Sequence, residues 1–184
     1  MELVNGVSLR QYMKECGKYE EESARHVMRK LFSVLEYIHS FDIVYKLLEP
    51  ERILIGSEVD DTCIKLISDI DVSSIYYEDP NSVESPYFIA PEILECRDCS
   101  KKTDMWSAGA ILYFLLCGSP FCDTSSLSTQ YDSILRAKYE FDLERWKDIS
   151  HEAKHLISNL LLVDPNQRLS STEALDHLWF KHPS

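Results

Sequence analysis

The chain has 184 residues, of which 45% are apolar and 27% are charged, and this balance predicts one compact domain. Its net charge of −12 opposes nucleic-acid phosphates and anionic lipid headgroups, because both attract basic patches. We therefore expect a protein partner, with neither nucleic acid nor a membrane. No basic segment with an apolar run and a cleavage site follows Met1, so we expect no secretory signal. Six cysteines without a disulfide framework suit a reducing compartment, and we therefore expect an intracellular, cytoplasmic protein.

Hydrophobic periodicity predicts a mainly α fold. Residues 20–40 carry apolar side chains at spacings of three and four, which is typical of an amphipathic helix. The apolar run from Met105 to Cys117 predicts a buried central helix that ends at Gly118. Two further helices are predicted at residues 151–163 and 172–180.

Strand character is confined to two short β-branched runs, residues 53–55 and 63–67, which predict a small hairpin. Residues 73–91 are polar and carry three prolines, so they predict a long surface loop.

Metal binding is not expected from the cysteines or histidines. Cys96 and Cys99 form a Cys-x-x-Cys pair, but zinc needs four ligands, and the next candidates, Cys117 and Cys122, flank the end of the predicted central helix. The six histidines are scattered without ligand spacing. We expect free thiols and structural imidazoles.

Three sequence blocks stand in a characteristic order. They are Ala90-Pro91-Glu92, then Asp104-Met105-Trp106-Ser107-Ala108-Gly109, then Arg168 in Asp164-Pro165-Asn166-Gln167-Arg168. Together they resemble the lower lobe of eukaryotic protein kinases. The segments around Lys138, Trp146, Ser150 and Glu173 are similar to the calcium/calmodulin-regulated and calcium-dependent kinases in particular.

The resemblance covers essentially the whole chain and implies a kinase-like C-terminal lobe, a helical bundle with a small β-hairpin, over residues 1–184. It places the hinge equivalent at residues 1–6, the catalytic-loop equivalent at 43–54 and the activation-segment equivalent at 68–92. The family's N-terminal lobe, with its glycine-rich loop and phosphate-binding lysine, is expected to be absent. Glu2, Leu3 and Val4 would then be the hinge residues nearest to a nucleotide.

The resemblance also implies that the catalytic-loop chemistry is lost. Leu47 stands where the family has the aspartate that accepts the substrate hydroxyl proton, and an aliphatic side chain has no lone pair for it. Glu49 replaces a phosphate-facing lysine. Arg52 replaces the metal-binding asparagine, and a guanidinium has no acceptor for Mg²⁺.

The metal-binding Asp-Phe-Gly segment of the family is altered in this chain. Without a gap its aspartate position holds Ser68, and with a one-residue insertion it holds Asp69, which is the weak candidate for a metal ligand. In both alignments the glycine is missing. One exposed carboxylate seldom holds a cation without a phosphate to share it, so we expect no cofactor.

Positions that hold the family's fold are retained. The resemblance implies that Glu92 pairs with Arg168 and that Asp104 holds the catalytic-loop backbone from the central helix, which also carries Trp106 and Gly109. Scaffold positions survive where positions that touch nucleotide, metal or substrate have changed.

We therefore interpret the chain as a catalytically inactive pseudokinase lobe that acts as a protein-binding or regulatory scaffold. The alternative is an incomplete chain of a calcium-dependent-type serine/threonine kinase that binds ATP and Mg²⁺ and phosphorylates proteins. The surface near Leu3, Val4 and Leu47 is expected to expose apolar side chains to a partner. In the family an arginine of the catalytic loop receives a phosphate of the activation segment, and Lys46 stands at that position here, where it offers a single point contact. Four serines in or near the activation-segment equivalent are therefore expected to stay unmodified: Ser73, Ser74, Ser82 and Ser85.

Overall fold

The computed structural model describes residues 6–56, 64–67, 86–124 and 126–181. Helices occupy Leu9–Cys16 (α1), Glu21–Ser40 (α2), Pro91–Leu94 (α3), Lys101–Cys117 (α4), Leu127–Leu135 (α5), Leu143–Trp146 (α6), His151–Leu160 (α7), Ser171–Leu175 (α8) and Leu178–Lys181 (α9). Strands Gly6–Ser8 (β1), Ile53–Gly56 (β2) and Ile64–Leu66 (β3) form an antiparallel sheet in the order β1-β2-β3. The predicted mainly α fold class is confirmed.

The central helix is α4, as predicted from its apolar sequence. Every residue from Thr103 to Cys117 is buried, and α2 and α7 pack against it. The helix begins at Lys101, ahead of the apolar run, because the Ser100 hydroxyl caps its first turn. Gly118 ends it with a φ of 84°, a left-handed conformation that glycine adopts without a Cβ penalty.

The helix α2 and the hairpin β2–β3 also match their predictions. In α2 the buried stripe includes Ala24, Met28, Leu31 and Leu35, which recur at the predicted helical spacing. Ile53 of β2 lies opposite Leu66 of β3, so the two β-branched runs pair. Cys63, the first residue of the predicted second strand, lies outside the described residues.

The strand β1 was missed because three residues are too few to show alternation. It pairs with β2 at close range, and Gly6 makes the pairing possible: a Cβ there would lie 2.6 Å from the Ile55 carbonyl oxygen. This strand leads directly into α1, which Ser8 caps by accepting from the Gln11 N–H over 3.1 Å.

Several predicted helix boundaries are corrected. The helix predicted at 151–163 ends at Leu160, because Leu161 has a ψ of 52° and so leaves the helical backbone. The helix predicted at 172–180 is two short helices, α8 and α9, separated at Asp176 and His177. The loop predicted to reach Pro91 ends one residue earlier, since Pro91 is the first residue of α3, where proline is tolerated.

Four helices of the described chain were not predicted: α1, α3, α5 and α6. Each is short, and α5 buries only Gln130 and Ile134, so its sequence carries little apolar periodicity. Within the described ranges, no helix is long and apolar enough to cross a bilayer.

Candidate functional site

The catalytic-loop equivalent, residues 43–54, follows α2 and is anchored by hydrogen bonds to Asp104. The Asp104 carboxylate, fully buried on α4, accepts from the Tyr45 N–H over 2.8 Å and from the Lys46 N–H over 2.7 Å. Lys46 has a φ of 71°, a strained conformation for a residue with a side chain. Two backbone hydrogen bonds to one carboxylate hold that conformation in place.

His39 completes this anchor. Its Nε2 lies 2.8 Å from Asp104 Oδ2, and both side chains are buried. Asp104 therefore joins the end of α2, the start of the loop and α4. The role expected of Asp104 is present in the structure, whereas His39 was predicted only as one of the scattered histidines.

Leu47 is buried, with 4% of its surface exposed. The prediction that the loop around Leu47 presents apolar surface to a partner is therefore wrong at this residue. An aliphatic side chain prefers to turn away from water, and Leu47 does so together with Leu48, which is 2% exposed. No proton acceptor is offered by the Leu47 side chain.

Glu49 and Arg52 contact each other across the loop. The single 3₁₀ turn Pro50–Arg52 brings them together, and Arg52 Nε donates to Glu49 Oε1 over 2.9 Å. Burial raises the pKa of the Glu49 carboxyl, although the hydrogen bond from Arg52 opposes that change. The anion and the cation at these two positions thus offset each other's charge.

The neighbouring surface adds a second ion pair. Glu51 lies 3.3 Å from the Nε of Arg10, which comes from α1 and stands over the Phe114 ring of α4. The exposed carboxylate of Glu51 is therefore paired with a side chain of α1. These contacts make the loop a packed structural element.

Other predicted site residues cannot be placed. The hinge candidates Glu2, Leu3 and Val4 lie outside the described residues, as do Ser68, Asp69 and the activation-segment serines. The activation-segment equivalent is described only from Pro86 onward. In the part of the chain that is described, no group of three or more metal-ligating side chains gathers.

Glu92 and Arg168 form a buried bidentate ion pair. Arg168 Nη1 and Nη2 each donate to one Glu92 carboxylate oxygen over 2.7 Å, and both residues are 1% exposed. Burial opposes ionisation of Glu92, but hydrogen bonds from Arg168 and Thr103 outweigh it and hold the pKa of the Glu92 carboxyl below its usual range. The pairing expected between these residues is present.

The guanidinium of Arg168 makes further contacts. Besides Glu92, its guanidinium donates to the carbonyls of Leu162 and Lys102 over 2.6 and 2.9 Å and stands 5.1 Å from the Trp106 ring centre. One side chain therefore joins the end of the activation-segment equivalent, α4 and the segment after α7.

The family model described as protein kinase domain matches residues 1–180. The chain belongs to the protein kinase domain family. Calcium/calmodulin-dependent protein kinase type 1B of Homo sapiens is 40% identical over 182 residues, which make up 97% of this chain and 52% of that protein. Myosin light chain kinase A of Dictyostelium discoideum is 38% identical over 98% of this chain and 62% of that protein.

Solved structures agree with this membership. A crystal structure of Rad53 1-466 in complex with AMP-PNP superposes with a TM-score of 0.82 at 31% identity, covering 98% of this chain and 46% of that one. The predicted resemblance to calcium-regulated kinases is confirmed. This chain therefore spans only part of the length of the relatives it matches, 52% and 62% for the two named above.

Trp106 and Gly109 lie in the core of this kinase domain. Trp106 is fully buried, and a Cβ at Gly109 would lie 2.7 Å from the Leu160 Cβ, so the glycine sets how closely α4 approaches α7. Among the described residues, the indole Nε1 of Trp106 has no hydrogen-bond partner. Both residues act through packing.

The sequence did not predict the polar cluster around Glu21. The Glu21 carboxylate accepts from the Ser150 N–H over 2.8 Å and from the Trp179 indole over 2.7 Å, and Arg25 lies beside it at 3.2 Å. Sequence indicated only an anion at a helix start. Contacts between residues more than a hundred positions apart leave no local signal.

Proposed function

We propose that this chain is a catalytically inactive kinase-like domain that binds a protein partner and acts as a scaffold or regulator. The observation that supports this most directly is the side-chain chemistry of the catalytic-loop equivalent. A buried leucine stands at the position of the family's proton acceptor, where loss of a general base typically lowers the rate by about 10²–10⁴-fold.

The Glu49–Arg52 pair supports the same proposal for the nucleotide. Phosphoryl transfer depends on cations that neutralise the γ-phosphate and on oxygen ligands for Mg²⁺. At these two positions the chain offers an anion paired with a guanidinium over 2.9 Å. We propose that neither ATP nor Mg²⁺ serves as a cofactor.

Nucleotide binding and transfer are tested on the purified chain. Its melting temperature is measured with and without millimolar ATP and Mg²⁺, and transfer of labelled phosphate to the chain itself and to a basic peptide is followed. We expect no change in either measurement. A nucleotide-dependent rise of several degrees, since ligands that bind the native state stabilise it, would contradict the proposal.

The alternative, an active serine/threonine kinase represented here by part of its chain, has one supporting observation: the similar proteins are named as kinases. It predicts labelled phosphate transfer above background by a longer form of the protein. It also predicts that changing Leu47 leaves this transfer intact, because a leucine cannot accept the proton of the substrate hydroxyl.

The partner is proposed to carry a basic surface, because the chain's net charge is −12. Binding of a Lys/Arg-rich helical peptide and of its Glu-substituted counterpart is compared by calorimetry at low and high salt. We expect salt-sensitive binding of the basic peptide alone. Equal binding of both peptides would count against electrostatic recognition. An intracellular, cytoplasmic location stays a prediction.

A further inference from the structure

His155 of α7 and His177, at the break between α8 and α9, form a direct side-chain pair. His155 Nδ1 lies 2.8 Å from His177 Nε2, and the two rings stack with centroids 5.1 Å apart and planes 22° apart. On its other side, His177 Nδ1 accepts from the Trp179 N–H over 3.2 Å.

The Trp179 contact indicates where the His177 proton lies. Because His177 Nδ1 accepts from Trp179, the His177 proton is on Nε2, and Nε2–H donates to His155 Nδ1. The His177 ring is neutral in this arrangement. A second proton on His177 would face the Trp179 N–H, and one on His155 Nδ1 would face the His177 N–H. Either protonation places two donors against each other.

The charged groups around the pair do not compensate for this repulsion between two N–H donors. Burial and the neighbouring His155 lower the pKa of His177, and only the Glu152 carboxylate of α7 acts in the opposite direction. Several other charged groups of the packed elements have partners of their own: Asp176 with Lys181, Lys154 with the Trp146 carbonyl, Glu21 with Arg25, and Arg29 with the Phe180 carbonyl. His151 also lies on α7, at its exposed first turn.

The pair adjoins a segment that depends on tertiary contacts. Helix α9 has four residues and cannot be stable alone. It is held against α2 by the Trp179 indole, which donates to Glu21, and by Phe180, whose ring lies 4.8 Å from the Arg29 guanidinium. The turn at His177 sets the position of both aromatic residues.

We infer that the His155–His177 pair is a pH-sensitive contact. It keeps Leu178–Lys181 packed against α2 at neutral pH, and its loss in mild acid lets this segment detach. A histidine whose folded-state pKa is lowered stabilises the fold above the unfolded value of about 6.5, and that stabilisation is lost as the pH falls through the folded-state value. Release would expose Trp179 and Phe180, which are buried at neutral pH.

Hydrogen exchange on the full chain, followed by NMR between pH 7.5 and 5, tests the inference. After correction for intrinsic exchange, we expect the Trp179 and Phe180 amides to lose about tenfold in protection for each unit by which the folded-state pKa lies below the unfolded value. Amides in the middle of α4 should keep theirs. Nitrogen chemical shifts should show His177 protonated on Nε2 at pH 7.5.

Three variants make the test specific. His155→Gln keeps an acceptor for the His177 N–H but cannot take up a proton, so its protection should fall less in acid. His155→Asp supplies an anion that favours protonated His177, so its pH dependence should be weaker still. His151→Gln, on the same helix outside the pair, should behave as the parent does. An equal acid loss in all four proteins, or His177 protonated on Nδ1, would overturn the inference.

Discussion

Arg52 donates to Glu49 over 2.9 Å, so the two replacements in the catalytic-loop equivalent are partners of each other. A glutamate alone at this position would leave a half-buried anion, and an arginine alone an uncompensated cation. Acting as a pair they are compatible with the fold. The loop therefore keeps its structure with this ion pair at the two replaced positions.

Restoring the family's aspartate at Leu47 is predicted to destabilise the fold. Leu47 is 4% exposed, and a carboxylate at a buried apolar position costs roughly 2–4 kcal/mol unless it finds hydrogen-bond donors. Urea unfolding of Leu47→Asp measures the change, with Leu47→Met as the volume-conserving control, expected below about 1.5 kcal/mol. Equal stability of Leu47→Asp and the parent would show that donors are available there.

Removing the buried cation at Arg168 is predicted to cost about 3–5 kcal/mol, because Glu92 would stay buried and unpaired. The matched control is Arg97→Ala, whose pair with Glu95 is about half exposed and should be worth less than about 1 kcal/mol. Both are measured by denaturant unfolding. If the two variants lost similar amounts, the buried pair would not be what holds this part of the fold.

The sequence predicted features with a local pattern or a family motif and missed contacts between residues that are distant in the chain. The helix α4 and the Glu92–Arg168 pair were predicted, since the first has a local apolar signal and the second belongs to a family motif. The Glu49–Arg52 contact was not, because it depends on a 3₁₀ turn that brings residues three apart together. The bond between His39 and Asp104 spans 65 positions and leaves no local pattern.

The ion pair at Glu92 also predicts that the free energy of unfolding falls at acid pH. Its folded-state pKa lies below the unfolded value of about 4.3, so the stabilisation is fully present above that pH and is lost as the pH falls through the folded-state value. The unfolding free energies of the parent and of Glu92→Gln should therefore converge below about pH 4. A constant difference from pH 3 to 7 would contradict the assignment.

The contribution of Glu49 to stability is predicted to have the opposite pH dependence. Because burial raises its folded-state pKa, the protonated form is the more compatible with the fold, and its contribution is lost as the pH rises from about 4.3 through the folded-state value. Glu49→Gln should gain stability relative to the parent over that rise in pH. Measuring both glutamine variants in one pH series separates this effect from general acid unfolding, which would shift the two in the same direction.

Asp104→Asn is the sharpest test of the loop's anchor. The carboxylate accepts from the Tyr45 N–H, the Lys46 N–H and His39, and an amide has only one oxygen to serve them. At least one buried donor loses its partner, so we expect a loss of about 2–4 kcal/mol in urea unfolding. The exposed Asp42, which pairs with Lys101 over 2.5 Å, offers the control Asp42→Asn, which we expect to change the free energy of unfolding far less. Hydrogen exchange adds a local measurement, since the Tyr45 and Lys46 amides should lose protection in Asp104→Asn before α2 does. If those amides stayed protected in Asp104→Asn, the strained backbone at Lys46 would be held by other contacts, and Asp104 would serve only the packing of α4.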